Sequence, residues 1–400
     1  MKKNFYQKRC LIILFLINAF SFSFIFCDTI KVLLNAYSCE VPFNIKINKA
    51  NGIIIGDMND KDCFYESEED EIDLLFQDDF WYLNGKKLII ENIVIKQNKG
   101  KCIYFDGHPY EGKFYIIKNN NDVFFINKLE LEDYVEFVVG KESYNGWPLE
   151  SHKVSAIISR TFAIYKMKIA QRLNKLYDIV ATIDDQKYLG AYHNKAIKKA
   201  VDETNGLVIS YNNEPILSMY HICCGGVIPS KCMGFDFKTH PYLARNYGCN
   251  HCNNYSGYNW EMKISHREFC KKLSNFLNKE IFRIVKVENQ IKSKSGSMRR
   301  IILKVIFIDK KGKKITKNIT LNNKQFRQAL LLNMQTKSAY FYVKLDCDSN
   351  LIISGKGQGH HMGLCQRGAK SMIDSCYSYK EILKFYYPKT EIIKYKINKY

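Results

Sequence analysis

The stretch from Leu129 to Tyr165, LELEDYVEFVVGKESYNGWPLESHKVSAIISRTFAIY, decides how the rest of the chain is read. Leu131, Tyr134, Val135, Val138 and Val139 recur at i, i+3, i+4, i+7 and i+8, the stripe of an amphipathic helix. Gly140 is expected to end that helix, with Glu142 just beyond it. Trp147-Pro148 then opens a second helix, because proline suits the first helical turn. Val154, Ile157, Ile158, Ile164 and Tyr165 give this helix its apolar side, and Ala156 and Ala163 allow close packing. A lone carboxylate therefore sits at the joint between two packed helices. Such a glutamate is most often structural, and its chemistry depends on what the remaining segments bring to it.

On the N-terminal side, residues 28 to about 128 read as short strands split by Gly, Asn and Asp, among them IKVLLNAY, NGIIIGD, KKLIIENIVIKQ, KCIYFDG, KFYIIKN and DVFFINK. Their mixed period predicts an irregular, mostly antiparallel β region. The acidic run ESEEDEIDLLFQDD (Glu66–Asp79) reads as a solvated face or loop. On the C-terminal side, NKAIKKAVDETNG is a short helix with Gly206 as its C-terminal cap. LVISYNNEPILSMYHI reads as a hairpin through Asn212-Asn213, its second strand delivering His221, Cys223, Cys224 and Gly225-Gly226. A helix from Ser265, strands near Ile281–Val287 and Arg300–Ile308, a further strand and a helix around Gln325–Leu331 make an inserted unit. The fold class is α+β: an irregular, mostly antiparallel β region, a helical catalytic core and an inserted α/β subdomain. The expected boundaries are 1–27 for a signal peptide or anchor, 28–100 for the N-terminal β region, 101–259 for the first part of the core, 260–345 for the insertion and 346–400 for the C-terminal part of the core.

Compartment follows from the first residues. MKKNFYQKRC is basic, and the run from Leu11 to Phe26 carries no charge. This is the layout of a secretory signal, and the run is short for a span of about 20 residues. The body of the protein is expected outside the cytoplasm, with membrane attachment only if the segment stays uncleaved. The formal net charge of +20 attracts polyanions. Export argues against nucleic acid and leaves anionic lipid and acidic cell-wall glycan.

Of 14 cysteines, five cluster between Cys223 and Cys252. Cys249 and Cys252 form C-x-x-C, and with Cys223 and Cys232 they make a candidate zinc site of four thiolates, or of three with His221, closed and therefore structural. Two disulfides are the alternative outside the cytoplasm. Gly355, Gly357, Gly359 and Gly363 match neither a phosphate loop nor a dinucleotide fingerprint, and would let backbone approach a ligand around His360 and His361.

Taken in order, these segments resemble the SpoIID/LytB family. LELEDYVEFVVGKES is similar to its L-x-x-Y-x-x-x-V-x-x-E segment, and WPLESHKVSAIISRTFAIY to its W-P-x-E helix with Arg160-Thr161 in register. DDQKYLGA, EPILSMYHICCGG, PYLARNYGC and GKGQGHHMGLCQRGAKSM match four further motifs, and the likeness covers roughly 100 to 390. His361 stands where the family usually has Gly, and Ser151-His152 where it has Ala-Leu. The resemblance implies an exported peptidoglycan lytic transglycosylase that cuts between N-acetylmuramic acid and N-acetylglucosamine and leaves 1,6-anhydro ends. Glu142 would be the single acid and base, and Arg160, Tyr188, His221, His360 and Gln366 would line the glycan groove. Some family members bind zinc near the Y-H-x-x-x-G-G strand, which favours zinc at the cysteines. The rival expectation is a non-catalytic amidase enhancer that binds peptidoglycan and stimulates a partner amidase. A zinc-dependent hydrolase, the third, would need an open coordination position.

Overall fold

The computed structural model describes residues 29–48, 52–58, 64–66, 69–97, 101–229, 236–293, 296–309, 311–330 and 337–396. The N-terminal signal or anchor segment and Cys232 lie outside the described residues. Among them are seven α-helices: α1 (Leu131–Glu142), α2 (Leu149–Arg172), α3 (Lys195–Glu203), α4 (His266–Leu277), α5 (Asn323–Ala329), α6 (Gln366–Asp374) and α7 (Tyr379–Tyr386). The strands form several mostly antiparallel sheets, so the fold is α+β.

Two sheets make the N-terminal half. The seven-stranded sheet is built on the antiparallel pair Thr29–Ser38 and Asp122–Glu130. The six-stranded sheet contains Phe43–Asn48 against Glu71–Gln77. This second pair corrects the reading of the acidic run. Within it Ile72, Leu74 and Phe76 are buried and alternate with less buried neighbours, so the run carries a half-buried strand with its carboxylates on the wet face. Both inner faces join α1 in one apolar cluster. Strand Asp122–Glu130 passes directly into α1 at Leu131, so the sheet sets where Glu142 ends up.

α2 is the central helix. Thirteen of its fourteen residues from Ser151 to Ile164 are buried. α1 and α3 pack on it. α3 starts at Asn194, whose side-chain oxygen accepts the Ala196 and Ile197 amides. The hairpin turn at Asn212-Asn213 is present, with φ of 53° and 62°, the left-handed pair of a type I′ turn. Its second arm is only Glu214–Pro215. Tyr220–His221 instead pairs in parallel with Leu364–Cys365, a strand from the far end of the chain. A separate apolar cluster holds α4, α5 and the strands from Asn259 to Lys356. Strand Leu351–Lys356 pairs with both Asn259–Ile264 and Phe341–Leu345, so the chain stays in this unit past residue 345. The third cluster contains parts of α2 and α7 and the buried Cys223, Cys224, Cys249, Cys252 and Cys365.

Candidate functional site

Gly140 does not stop α1. The helix runs on through Glu142, and a Cβ at Gly140 would lie 2.2 Å from the Tyr192 ring, so the glycine makes room for that ring. Glu142 therefore occupies the last turn. Its Oε1 accepts the Lys187 amide at 2.9 Å, and Gln366 Nε2 donates to its carbonyl oxygen at 3.2 Å. Burial pushes the carboxyl up from 4.5, while the Lys187 amide and charge and the Tyr220 hydroxyl pull it down; the balance is upward. The negative end of α1 acts in the same upward direction. No carboxylate is among the groups that set this proton affinity. Asp185, two residues before Lys187, is committed to Lys166 Nζ at 2.6 Å and to the Val180 amide.

The Tyr220 hydroxyl is buried between Glu142 and Gln186 without a well-aligned partner. Tyr134 donates to Gln186 Oε1 at 3.2 Å from the other side. Behind the carboxylate, Ser143 donates to the Val139 carbonyl at 2.8 Å and meets His152 Nδ1 at 3.3 Å. His152 is fully buried and burial lowers its pKa, so a neutral imidazole braces the turn that follows Glu142. Tyr220 and Lys187 were not singled out from the sequence, and His152 only as a departure from the family pattern. The tyrosine of the Y-H pair was the signal available for the first.

Two of the expected groove residues lie in the core. Arg160 is 0% exposed and forks onto Glu132, Nε to Oε1 at 2.7 Å and Nη2 to Oε2 at 2.6 Å, with Nη1 on the Leu207 carbonyl. It ties α1, α2 and the strand at Leu207 together, and at 0% exposure it presents no surface to a glycan. Tyr188 is buried against Tyr134, and its hydroxyl donates to Asn127 Oδ1 at 2.6 Å. Arg160→Met is expected to cost about 3 kcal/mol, because it strands Glu132 beside a buried surface. Chemical denaturation measures this, with glycan affinity of the folded fraction unchanged.

The other three gather at the parallel strand pair. His221 donates from Nδ1 to the Met362 carbonyl at 3.0 Å and its Nε2 is buried without a partner. His360 donates from Nε2 to the Tyr220 carbonyl at 2.8 Å and accepts the Met362 amide at Nδ1, so both ring nitrogens hold the loop. Gln366 opens α6 beside Glu142. His361 has φ of 66°, the left-handed backbone that favours glycine. Its buried ring offsets that strain by donating to the Cys224 carbonyl at 2.8 Å and packing on Tyr340.

Under this loop four buried thiols, Cys224, Cys249, Cys252 and Cys365, have their sulfurs all within 4.8 Å of one another. The set joins Cys249 and Cys252 of the sequence reading with Cys224 and Cys365; Cys223 is not in it, and Cys232 lies outside the described residues. Cys223 is buried beside the set and its thiol touches Cys252 and Cys365, but it is not one of the four whose sulfurs all lie within 4.8 Å of one another; its backbone bridges to Gln358. Cys365 was missed because the whole inserted unit separates it from Cys252 in the chain. No disulfide occurs among the described residues. The amides of Cys224 and Gly368 both point at Cys365 Sγ at 3.3 Å. Contact with Cys224 lowers the Cys249 thiol to about 7, and contact with Cys223 drives Cys252 lower still. A Cβ at Gly368 would meet Cys249 Sγ at 2.6 Å, so the cradle needs glycine there. Arg245, 1% exposed and without a hydrogen-bond partner, lies 5.0 Å from the ring of Tyr386, whose hydroxyl is 3.0 Å from Cys249 Sγ.

A helix-end carboxylate set against the Lys187 amide, Tyr220 and Gln366 belongs to a cell-wall-related class of protein once its relatives are considered. The family model for stage II sporulation protein, SpoIID, matches residues 119–211, the segment that carries α1, α2 and Glu142. An uncharacterized protein of Brachyspira hyodysenteriae is 32% identical over 317 residues, 77% of this chain and 78% of its own length. The amidase enhancer of Bacillus subtilis is 27% identical over 64% of this chain, which spans 40% of that longer relative. Stage II sporulation protein D of Bacillus subtilis is 25% identical over 67% of this chain and 75% of its own length. The chain belongs to the SpoIID/LytB family. No helix among the described residues is long and apolar enough to cross a membrane.

Proposed function

We propose that this protein is an exported lytic transglycosylase of peptidoglycan glycan strands, with Glu142 as its single general acid and base. The observation that carries this is a half-buried carboxylate whose proton affinity is raised and which, among the described residues, has no carboxylate among the groups that set it. A hydrolase that retains or inverts uses two carboxyl groups. A muramyl residue carries its own nucleophile, the 6-hydroxyl. Glu142 protonates the leaving glycosidic oxygen, the 6-hydroxyl attacks the anomeric carbon, and Glu142 then takes the hydroxyl proton. The bond from the anomeric carbon to the leaving sugar breaks and the 1,6-anhydro bond forms, with no water consumed. The Lys187 amide fixes the carboxylate, and Tyr220 is poised to donate to it once ionised.

The thiol cluster fits a structural zinc ion. Four Zn–S bonds of about 2.3 Å set sulfurs about 3.8 Å apart, compatible with the observed cluster. Cys224, Cys249, Cys252 and Cys365 would hold the ion, and the buried Arg245 would offset part of its thiolate charge. When bound, the metal ties the strand at Cys224 to the start of α6 and so keeps Gln366 against Glu142.

Digestion of peptide-stripped glycan strands, read by mass spectrometry, tests the chemistry. Anhydro-muramyl ends are expected; reducing ends would overturn the reading. The second reading, a binding protein for a partner amidase, is supported by the likeness to the amidase enhancer. Strand binding without any cleavage would favour it.

A further inference from the structure

Between the inserted unit and the Gly225-Gly226 turn lies a groove of about 780 Å³, lined among others by Trp260, Glu261, Lys292, Tyr342 and Lys356. None of these residues takes part in the chemistry at Glu142. We propose that this groove is a distal subsite for the anionic glycan strand whose scissile bond lies at Glu142. The proposal rests on the transglycosylase reading for its substrate, and on the groove for everything else.

The groove is built rather than incidental. Trp260 donates from Nε1 to the Gly357 carbonyl at 2.9 Å, and its ring fills the space that a Cβ on Gly355 would need. Tyr342 is 44% exposed, and Lys292 Nζ stands 5.7 Å from its ring. A pyranose ring presents C–H faces that stack on such an aromatic surface. Lys292 and Lys356 are exposed, and among the described residues neither has a carboxylate partner. Glu261 is held by Ser354 at 2.7 Å and offers acceptors to hydroxyl or acetamido N–H groups. Stacking surface, free cations and a fixed acceptor together match an N-acetylated sugar chain carrying carboxylates.

A series of contacts links the groove wall to the reacting carboxylate. Gln366 bonds the Glu142 carbonyl, and the next residue, Arg367, places its guanidinium 5.5 Å from the Trp147 ring and 4.6 Å from Tyr255. Tyr255 donates to Gln358 at 3.2 Å, and Gln358 bridges to Cys223. The Gly357 amide bonds the Tyr258 carbonyl, and Tyr258 abuts Gly226 at the groove wall. Tyr220, beside Glu142, is close to Gly226 in the chain, so the backbone spans at most about 20 Å between them. That is a few sugar units, the length over which one strand touches both places.

The test measures affinity in the full chain carrying Glu142→Gln, so that strands are not cut. Lys292→Glu with Lys356→Glu is expected to weaken peptide-stripped strands about tenfold at low salt, with the gap closing at high salt. Tyr342→Ala is expected to weaken both these strands and a neutral chitin oligomer of equal length. Unchanged affinity in both variants, or no strand binding by the parent, overturns the subsite. A loss seen only with strands that keep their stem peptides also overturns it, assigning the groove to peptide. The wild-type digest reports on Glu142 separately. Anhydro ends with a silent groove reject only the subsite, and groove-dependent binding without anhydro ends rejects only the chemistry.

Discussion

Glu142→Gln is expected to lower the rate of strand cleavage by about a thousandfold or more, the scale for losing a group that serves as both acid and base. The glutamine keeps the shape and can still accept the Lys187 amide, so strand binding survives. A second signature separates catalysis from scaffolding. Burial raises the folded-state value of this carboxyl above 4.5, so the fold favours the protonated form. The stability that Glu142 contributes is complete below 4.5 and is lost as pH rises through the raised folded value. The glutamine variant, which has no such titration, is therefore expected to be more stable than wild type at neutral pH, with the difference vanishing in acid. Denaturation across pH beside the digest measures both. A variant that is inactive and also less stable at neutral pH would make Glu142 a structural residue.

The second large effect concerns the thiols. The purified protein is expected to carry about one zinc ion per chain. Cys224→Ser and Cys365→Ser are expected to lose it and to lower Tm by about 10 °C or more, since binding energy at a closed thiolate site is folding energy. Cys223→Ser is expected to keep the metal, because the Cys223 sulfur is outside the set of four that converge. Elemental analysis with thermal melts decides this. Full retention of zinc in Cys365→Ser would reject the assignment, and a reductant-sensitive Tm without metal would assign the sulfurs to disulfides. Loss of the metal also frees the start of α6, so cleavage is expected to fall with it even though no thiol touches substrate.

Local patterns made much of this molecule legible. The stripe from Leu131 to Val139 named α1, Pro148 named the start of α2, and Asn212-Asn213 named a hairpin turn. Each is a short-range signal, settled by residues within a turn or two. Gly140 misled because a glycine near a helix end is ambiguous between a stop and a close contact, and only the position of Tyr192 decides between them. The acidic run misled because net charge hid a period of two.

The amino-acid sequence alone determined that Glu142 sits at the end of α1, that the net charge suits polyanions and that cysteines cluster near C-x-x-C, because residue type and local spacing carry those features; the acid role of Glu142 is what the family resemblance implies. Which side chains converge was decided by the tertiary structure. Arg160 and Tyr188 share motifs with the site, yet both turn into the core, because a fork onto Glu132 and a hydroxyl bond to Asn127 satisfy them there. Tyr220 and Cys365 meet the site only because two short strands pair in parallel from distant parts of the chain. Such pairing depends on the burial of every segment between, and no window of sequence contains it.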